Sequence, residues 1–485
     1  MASRVIPSGI KDGENILIQS ERFFLMNQQD LLTKFPVTSG RLRLRKERHC
    51  VLIIDRVYGL YWEIPPNQAV IFSLFNGAFT VTKIGEIISS IYSVPRARAV
   101  KAVCDTITLL SNHNLVSLQN NGVPNNFFWD PKNFIFASEE PNTTPLYKGP
   151  VMIEFLITNS CNFRCSYCYM NSPDVRELDE QMDFRLFKKI AQQARDLEVK
   201  RAVLSGGEPL LCKDFSKMVE LLCSYDIFPY ISTNGFLVTN DLVDKLYSLG
   251  ITFIHVSFDS HNPLTFDALT GKKGAFEAVK KNLQFMKNKG MNILTKSVIT
   301  KENCREVEKL IDFCYQLGVF KLEIAPCIPS VRGRRTLHSL ILDDDERIIL
   351  KEVVTRKKEE YKSCFEISYS DPLKKWAEVK PETYCVGGIS SLVIFPNGRA
   401  DICEMIPDEE KFNLGNLNEK SLSEIWNSEK VKSIRNIPKH LLSEICKKCQ
   451  YQTTCRTGCF NLSKVVYGDY FSPDPRCPAR DALPK

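Results

Sequence analysis

Long apolar runs are what the sequence has least of. Met1 to Asp12 has no apolar core of the kind a secretory signal carries. No run of about 18 apolar residues, the length a spanning helix needs, occurs in the sequence. These absences point to a cytoplasmic protein. A dense Lys/Arg tract is missing as well. The 64 basic and 57 acidic residues leave a formal charge of +7, spread too thinly to argue for nucleic acid and compatible with an acidic peptide partner. Hydrophobic content of 44% and charged content of 25% are ordinary for a globular protein, and the 485 residues suffice for about two to four domains. Cysteine is what the chain has in excess, 18 in all. With no secretory signal, a disulfide framework explains them less well than metal binding does. Ten fall into motifs: three at 161–168 and seven between 385 and 477. The others (Cys50, Cys104, Cys212, Cys223, Cys304, Cys314, Cys327 and Cys364) are scattered and read mostly as small buried hydrophobes.

The first motif is Cys161-x3-Cys165-x2-Cys168, directly after the strand-like run Val151–Ile157. Three thiolates on one loop cannot pair off without leaving one over. They can hold three irons of a four-iron, four-sulfur cluster. The fourth iron then stays open, and an open metal position is where a substrate or cofactor binds. The competing reading is zinc, which usually shows paired C-x2-C knuckles and a fourth ligand nearby. The spacing, with Tyr167 before the third cysteine, resembles the radical S-adenosylmethionine (SAM) superfamily. That resemblance implies that the open iron is chelated by the amino and carboxylate groups of SAM. It also implies cleavage of SAM to a 5′-deoxyadenosyl radical that abstracts a substrate hydrogen, with the protein positioning the cofactor that carries the chemistry.

After this loop, strand and helix alternate. Strands are predicted at 151–157, 202–205, 229–232, 253–257, 293–298 and 320–324, with helices between them. Such alternation argues for a parallel sheet. Six units resemble the partial (β/α)6 radical SAM barrel, an α/β fold whose active residues cluster at the strands' C-terminal ends. Gly206-Gly207-Glu208-Pro209 follows the second strand, where the glycines let backbone approach a ligand and Glu208 can accept from an ammonium; in the family this motif meets the SAM amino group. Ser232-Thr233-Asn234-Gly235 and Ser257-Phe258-Asp259-Ser260 follow the third and fourth strands. By resemblance, Ser232, Asn234, Ser257 and Asp259 line the SAM pocket with Tyr167, Asp259 reaching towards the ribose or else capping the next segment. Arg332-Gly333-Arg334-Arg335 resembles the family's "G-R" turn.

From Cys385 the spacing reads Cys385…Gly398-x4-Cys403…Cys446-x2-Cys449-x5-Cys455-x3-Cys459…Cys477. A zinc-ribbon-like domain would use the 446/449 and 455/459 pairs and leave Cys385, Cys403 and Cys477 without a role. All seven positions resemble the SPASM extension of radical SAM enzymes, which implies two auxiliary four-iron clusters. By position, Cys446, Cys449, Cys455 and Cys477 would hold one, and Cys385, Cys403 and Cys459 the one nearer the barrel. Ser391 stands where some members have a further cysteine, so the nearer cluster would keep an open iron or borrow Cys364 or Cys327.

Three short predicted strands (41–45, 51–54, 60–64) precede three predicted helices, the first at 67–75 and the others on the Ile84/Ile87/Ile88/Ile91 and Val100/Val103/Ile107/Leu110 faces. This order suits a winged helix-turn-helix. DNA binding fits poorly, since the last helix carries little basic charge after Lys101. Residues 66–81 resemble the small peptide chaperone of pyrroloquinoline-quinone biosynthesis, whose relatives bind a leader peptide as an added strand. The expected organisation is an extension at 1–37, a leader-recognition domain at 38–118, an Asn/Pro-rich loose linker at 119–148, the barrel at 149–340, a bridge at 341–384 and the SPASM domain at 385–485.

The chain as a whole resembles a radical SAM/SPASM maturase of ribosomally made peptides. The implied activity is oxidative thioether or carbon–carbon cross-linking, with three [4Fe-4S] clusters, SAM, a precursor peptide and a low-potential donor such as flavodoxin or ferredoxin. Alternatives are a sulfatase-maturase-like protein oxidase and a peptide epimerase with Cys327 as hydrogen donor. From another class comes a non-catalytic peptide-binding scaffold with structural clusters.

Overall fold

The computed structural model describes residues 28–125, 129–136, 147–170, 180–333, 335–362, 364–371, 385–407 and 411–477. The chain divides into two compact units, with the boundary between Lys148 and Gly149.

In the first unit, strands β2 (Leu42–Lys46), β3 (Val51–Asp55) and β4 (Tyr61–Ile64) form an antiparallel sheet in that order. Helices Pro66–Ser73, Val81–Tyr92 and Arg96–Ser111 follow. The first starts at Pro66 because proline is preset for the first helical turn. Thr80 caps the second by accepting from Lys83 N at 3.2 Å, a contact worth about 1 kcal/mol. Ile84, Ile88, Val103, Ile107 and Leu110 are buried against Val51, Ile53 and Phe72 in one core. The sequence reading missed a second, two-stranded sheet. It pairs β1 (Phe35–Thr38) with β5 (Val116–Gln119), so a helix (Gln28–Leu32) lies within the expected extension and β1 crosses its boundary into the next domain. The Asn/Pro-rich stretch expected to hang loosely packs on this unit where it is described. Asn125 donates to Thr38 O at 3.0 Å, Trp129 stacks on Phe72 at 5.9 Å, and Phe134 is buried.

The second unit is built on a ten-stranded sheet. The six expected strands are β6 (Met152–Thr158), β7 (Arg201–Gly206), β8 (Phe228–Thr233), β9 (Phe253–Ser257), β10 (Asn292–Ile299) and β11 (Lys321–Pro326), all parallel and in sequence order. β12 (Glu366–Tyr369) extends the β11 edge in parallel. On the other edge β13 (Ser391–Ile394), from the C-terminal cysteine field, pairs parallel to β6, followed by antiparallel β14 (Arg399–Asp401) and β15 (Gly415–Asn416). The field is therefore hydrogen-bonded to the strand that leads into the first cysteine loop; Val151 N and Met152 N donate to Ser390 O at 2.7 and 3.1 Å. The connecting helices bury one face each, as Phe187, Ile190, Ala191 and Ala194 show on helix Phe184–Asp196, capped by Asp183. Between Cys403 and Cys446 the chain forms two short helices, Leu422–Trp426 and Glu429–Arg435, separated because Ser428 starts a new cap on Val431 N. Among the described residues no helix is long and apolar enough to cross a membrane.

Candidate active site and cysteine centres

Ser205, Ser232, His255, Ser257, Lys296, Val298 and Ala325 come from five successive strands and line one cavity of about 330 Å³. On β9 and β10 the lining positions alternate, so these strands turn one face into the cavity, while β7, β8 and β11 reach it at their C-terminal ends. Cys161, Cys165 and Cys168, on the loop after β6, line the same space with Tyr167, Gly206, Gly207, Asn234 and Asp259.

The loop geometry follows from close backbone packing. Gly206 has φ +133°, and a Cβ there would stand 2.2 Å from Thr158 O; one at Gly207 would stand 2.0 Å from Ser160 O. No other residue fits these two positions without moving the first cysteine loop. The three thiols are electrostatic neighbours. Burial pushes Cys161 up to about 12, and Glu208 and Cys168 add to it. Cys165 is raised by burial first and then by Cys168 and Cys161. Such thiols stay protonated until a metal displaces the proton. Phe163 N donates to Cys161 Sγ at 3.4 Å and Asn234 Nδ2 does so at 3.9 Å, contacts that favour the thiolate.

Glu208 and Pro209 are buried behind the cavity wall rather than in it. One Glu208 oxygen accepts from Thr233 Oγ1 at 2.6 Å and Leu210 N at 3.0 Å, the other from Asn234 N at 2.7 Å. The second oxygen keeps acceptor capacity. Burial raises the Glu208 carboxyl to about 7 despite these donors. Asp259 accepts from the Tyr167 hydroxyl and from Val298 N at 2.8 Å, and burial raises it to about 6. It thus ties the cysteine loop to β10 instead of capping the segment that follows it.

Several cavity groups escaped the sequence reading. His255 Nδ1 lies 3.0 Å from Ser232 Oγ, and burial, with Lys296 and Arg201, pushes its pKa down to about 3, which keeps the ring neutral. Its buried Nε2 has no partner among the described residues. Lys296 lies mid-strand yet exposed into the cavity. Glu404 also lines it, next to Cys403, and Glu154 is raised by burial and by Glu404. A charged residue inside the apolar run of β10 was the available signal.

The seven later cysteines fall into two groups. Cys403 is raised by burial, then by Glu404, Cys385 and Cys459; Cys459 is pushed up to about 12 by burial and then by Cys385. Burial also raises Cys455 to about 12, with Asp474, Cys446, Cys477 and Cys449 as its further neighbours. Neither proposed extra ligand joins the first group. Cys364 is exposed, with its thiol 3.6 Å from Tyr361 O. Cys327 is buried, lines the barrel cavity and has Asp259 as its electrostatic neighbour. Both were drawn to the field by residue type alone, and the fold places them elsewhere. Arg332, of the expected "G-R" turn, lies over the Phe395 ring at 5.3 Å and outside the cavity lining. Arg334 lies outside the described residues. Among the described residues no three Cys, His, Asp or Glu side chains converge as ligands of a single ion do. Thiols around a cluster stand farther apart, because the cluster's own atoms lie between them.

Residues 155–314 match the Radical SAM superfamily and residues 385–450 the SPASM iron-sulfur cluster-binding domain. An AdoMet-dependent heme synthase of Methanosarcina barkeri is 25% identical over 348 residues, covering 68% of this chain and 96% of its own. A PqqA peptide cyclase of Xanthomonas axonopodis is 23% identical over 330 residues, covering 68% and 87%. Among solved structures, Streptococcus suis SuiB bound to precursor peptide SuiA superposes with a TM-score of 0.63 at 16% identity, over 91% of this chain and 100% of that one. That fold likeness extends beyond the second unit into the first. The chain contains a Radical SAM domain and a SPASM iron–sulfur cluster-binding domain.

Proposed function

We propose that the chain is an enzyme that oxidatively modifies a ribosomally made precursor peptide, closing a thioether or carbon–carbon cross-link. One observation carries this reading. The cavity lined by Cys161, Cys165 and Cys168 is also lined by Glu404 and Met405, which directly follow Cys403. A peptide carbon placed there lies between a site that removes a hydrogen atom and a site that takes an electron. Closing one cross-link removes two hydrogens. One leaves as an atom; the other leaves as a proton and an electron.

The donor sets fit the implied groups. Cys161, Cys165 and Cys168 would hold the SAM-binding cluster; Cys385, Cys403 and Cys459 the nearer auxiliary cluster; Cys446, Cys449, Cys455 and Cys477 the other. When bound, the first cluster and SAM supply a carbon-centred radical oxidant. Gly206, Gly207, Ser232, Asn234, Ser257 and Asp259 would seat SAM against the loop, with Tyr167 holding Asp259 in place. The nearer auxiliary cluster has three protein ligands in this reading and would keep one iron open to a substrate thiolate or amide. A flavodoxin or ferredoxin would supply the electrons. The first unit would act as a winged-helix-like leader-recognition domain, taking the peptide along an outer edge of the β2–β3–β4 sheet through main-chain hydrogen bonds. The SuiB likeness, which reaches into that unit, supports this.

The test uses the full chain, reconstituted anaerobically, with SAM, dithionite and each short peptide that a search of the DNA flanking its gene finds. The expected result is 5′-deoxyadenosine together with a peptide lighter by two hydrogens. Deoxyadenosine with an unchanged peptide would sink it. Cys327 favours one second reading. Its thiol lines the cavity and burial raises it to about 12, so it stays an S–H able to return a hydrogen. A peptide of unchanged mass containing a D-residue would mark that epimerase instead.

A further inference from the structure

Cys455 and Cys459 belong to different cysteine groups yet are separated by only Arg456, Thr457 and Gly458. All three have positive φ: 52°, 78° and 87°. Side chains rarely adopt this backbone, so the turn is held from outside. Arg456 holds one side, donating to Ile434 O at 3.2 Å and to Cys385 O. Asp474 holds the other. Its Oδ2 accepts from Cys459 N at 2.7 Å, and a Cβ on Gly458 would come within 2.4 Å of that oxygen. Arg476 grips both Asp474 oxygens, at 2.7 and 2.6 Å. The Asp474 side chain is 0% exposed and that of Arg476 16%.

An ion pair this buried is costly to desolvate, and an uncharged pair of similar size could brace the turn as well. Its charges need another use, and their position supplies one. Asp474 is an electrostatic neighbour of Cys455 and of Cys459, and so is Arg476. We propose that the Asp474–Arg476 pair is a positioning pair that balances the charge between the two auxiliary centres and so sets their reduction potentials. The inference rests on the auxiliary clusters of the proposed function. Cluster potentials depend on local net charge: an added positive charge favours the reduced form, an added negative charge the oxidised one.

The test is a redox titration of the anaerobically reconstituted full chain, followed by electron paramagnetic resonance. Asp474→Asn keeps an acceptor for Cys459 N but removes one negative charge, so the auxiliary potentials should rise. Arg476→Gln leaves the carboxylate unbalanced, so they should fall. The cluster at Cys161–Cys168 serves as an internal reference and should not move. Unmoved auxiliary potentials, or shifts of one sign in both variants, overturn the inference. Loss of auxiliary iron in both variants, with the first cluster retained, overturns it too, leaving a purely structural brace. If one variant alone loses that iron, the sign of the other's shift decides. Wild-type protein that binds iron and sulfide for one cluster only overturns the cluster reading and this inference with it.

Discussion

The first three cysteines share one eight-residue loop, whereas the last seven are drawn from positions 385 to 477. The loop is shaped by glycines pressed against neighbouring backbone, and its thiols face a cavity. The later field is held by short helices, a turn of three positive-φ residues and a buried ion pair. The first arrangement suits a site that must admit and release a ligand. The second suits centres that must stay at fixed separation and pass charge. On the proposed reading, the same residue type serves exchange in one place and storage in the other, and the surroundings decide which.

That contrast can be broken in four ways. Cys165→Ala should abolish 5′-deoxyadenosine formation, measured chromatographically after anaerobic incubation with SAM and dithionite. Cys449→Ala should lower iron content and stop peptide modification, while deoxyadenosine continues to form; its loss as well would erase the division of labour. Gly207→Ala forces a methyl into Ser160 O and should weaken SAM binding by roughly ten- to a hundredfold, about 1.4–2.8 kcal/mol, read by equilibrium dialysis with auxiliary iron unchanged. Glu208→Gln should act mainly on the metal-free protein. Burial raises the Glu208 carboxyl from 4.5 to about 7, so the folded state holds its proton more tightly than the unfolded state. Stability from this group is present below pH 4.5 and is lost as pH rises through about 7. The variant should flatten that fall, on the order of 3 kcal/mol, in urea unfolding at a series of pH values.

The barrel strands were legible because each is a short apolar run that a helix must cover. The motifs at their C-terminal ends were legible because ligand contact there needs glycine and small polar residues. β12 and β13 were not. Each has four residues, and β13 becomes a strand only by pairing with β6, a contact far apart in sequence. Similarly, β1 and β5 complete each other and have no pattern alone. His255 and Lys296 were missed because the sheet's inner face is polar at the cavity, against the usual expectation for a core, and Glu404 because it reaches the cavity from the turn after β14. Asp474 and Arg476 were hidden between cysteines, whose spacing drew the reading. Glu208 was found by motif, but its burial behind the cavity wall depends on Thr233 and Asn234, which only the fold brings to it.

The most direct test of the central claim is SAM cleavage by the reconstituted full chain, measured as 5′-deoxyadenosine released under dithionite, compared with a variant in which Cys161, Cys165 and Cys168 are all alanine. The account predicts product from the wild type and none from the variant. No product from a wild type that carries its iron, or equal product from both, would contradict it.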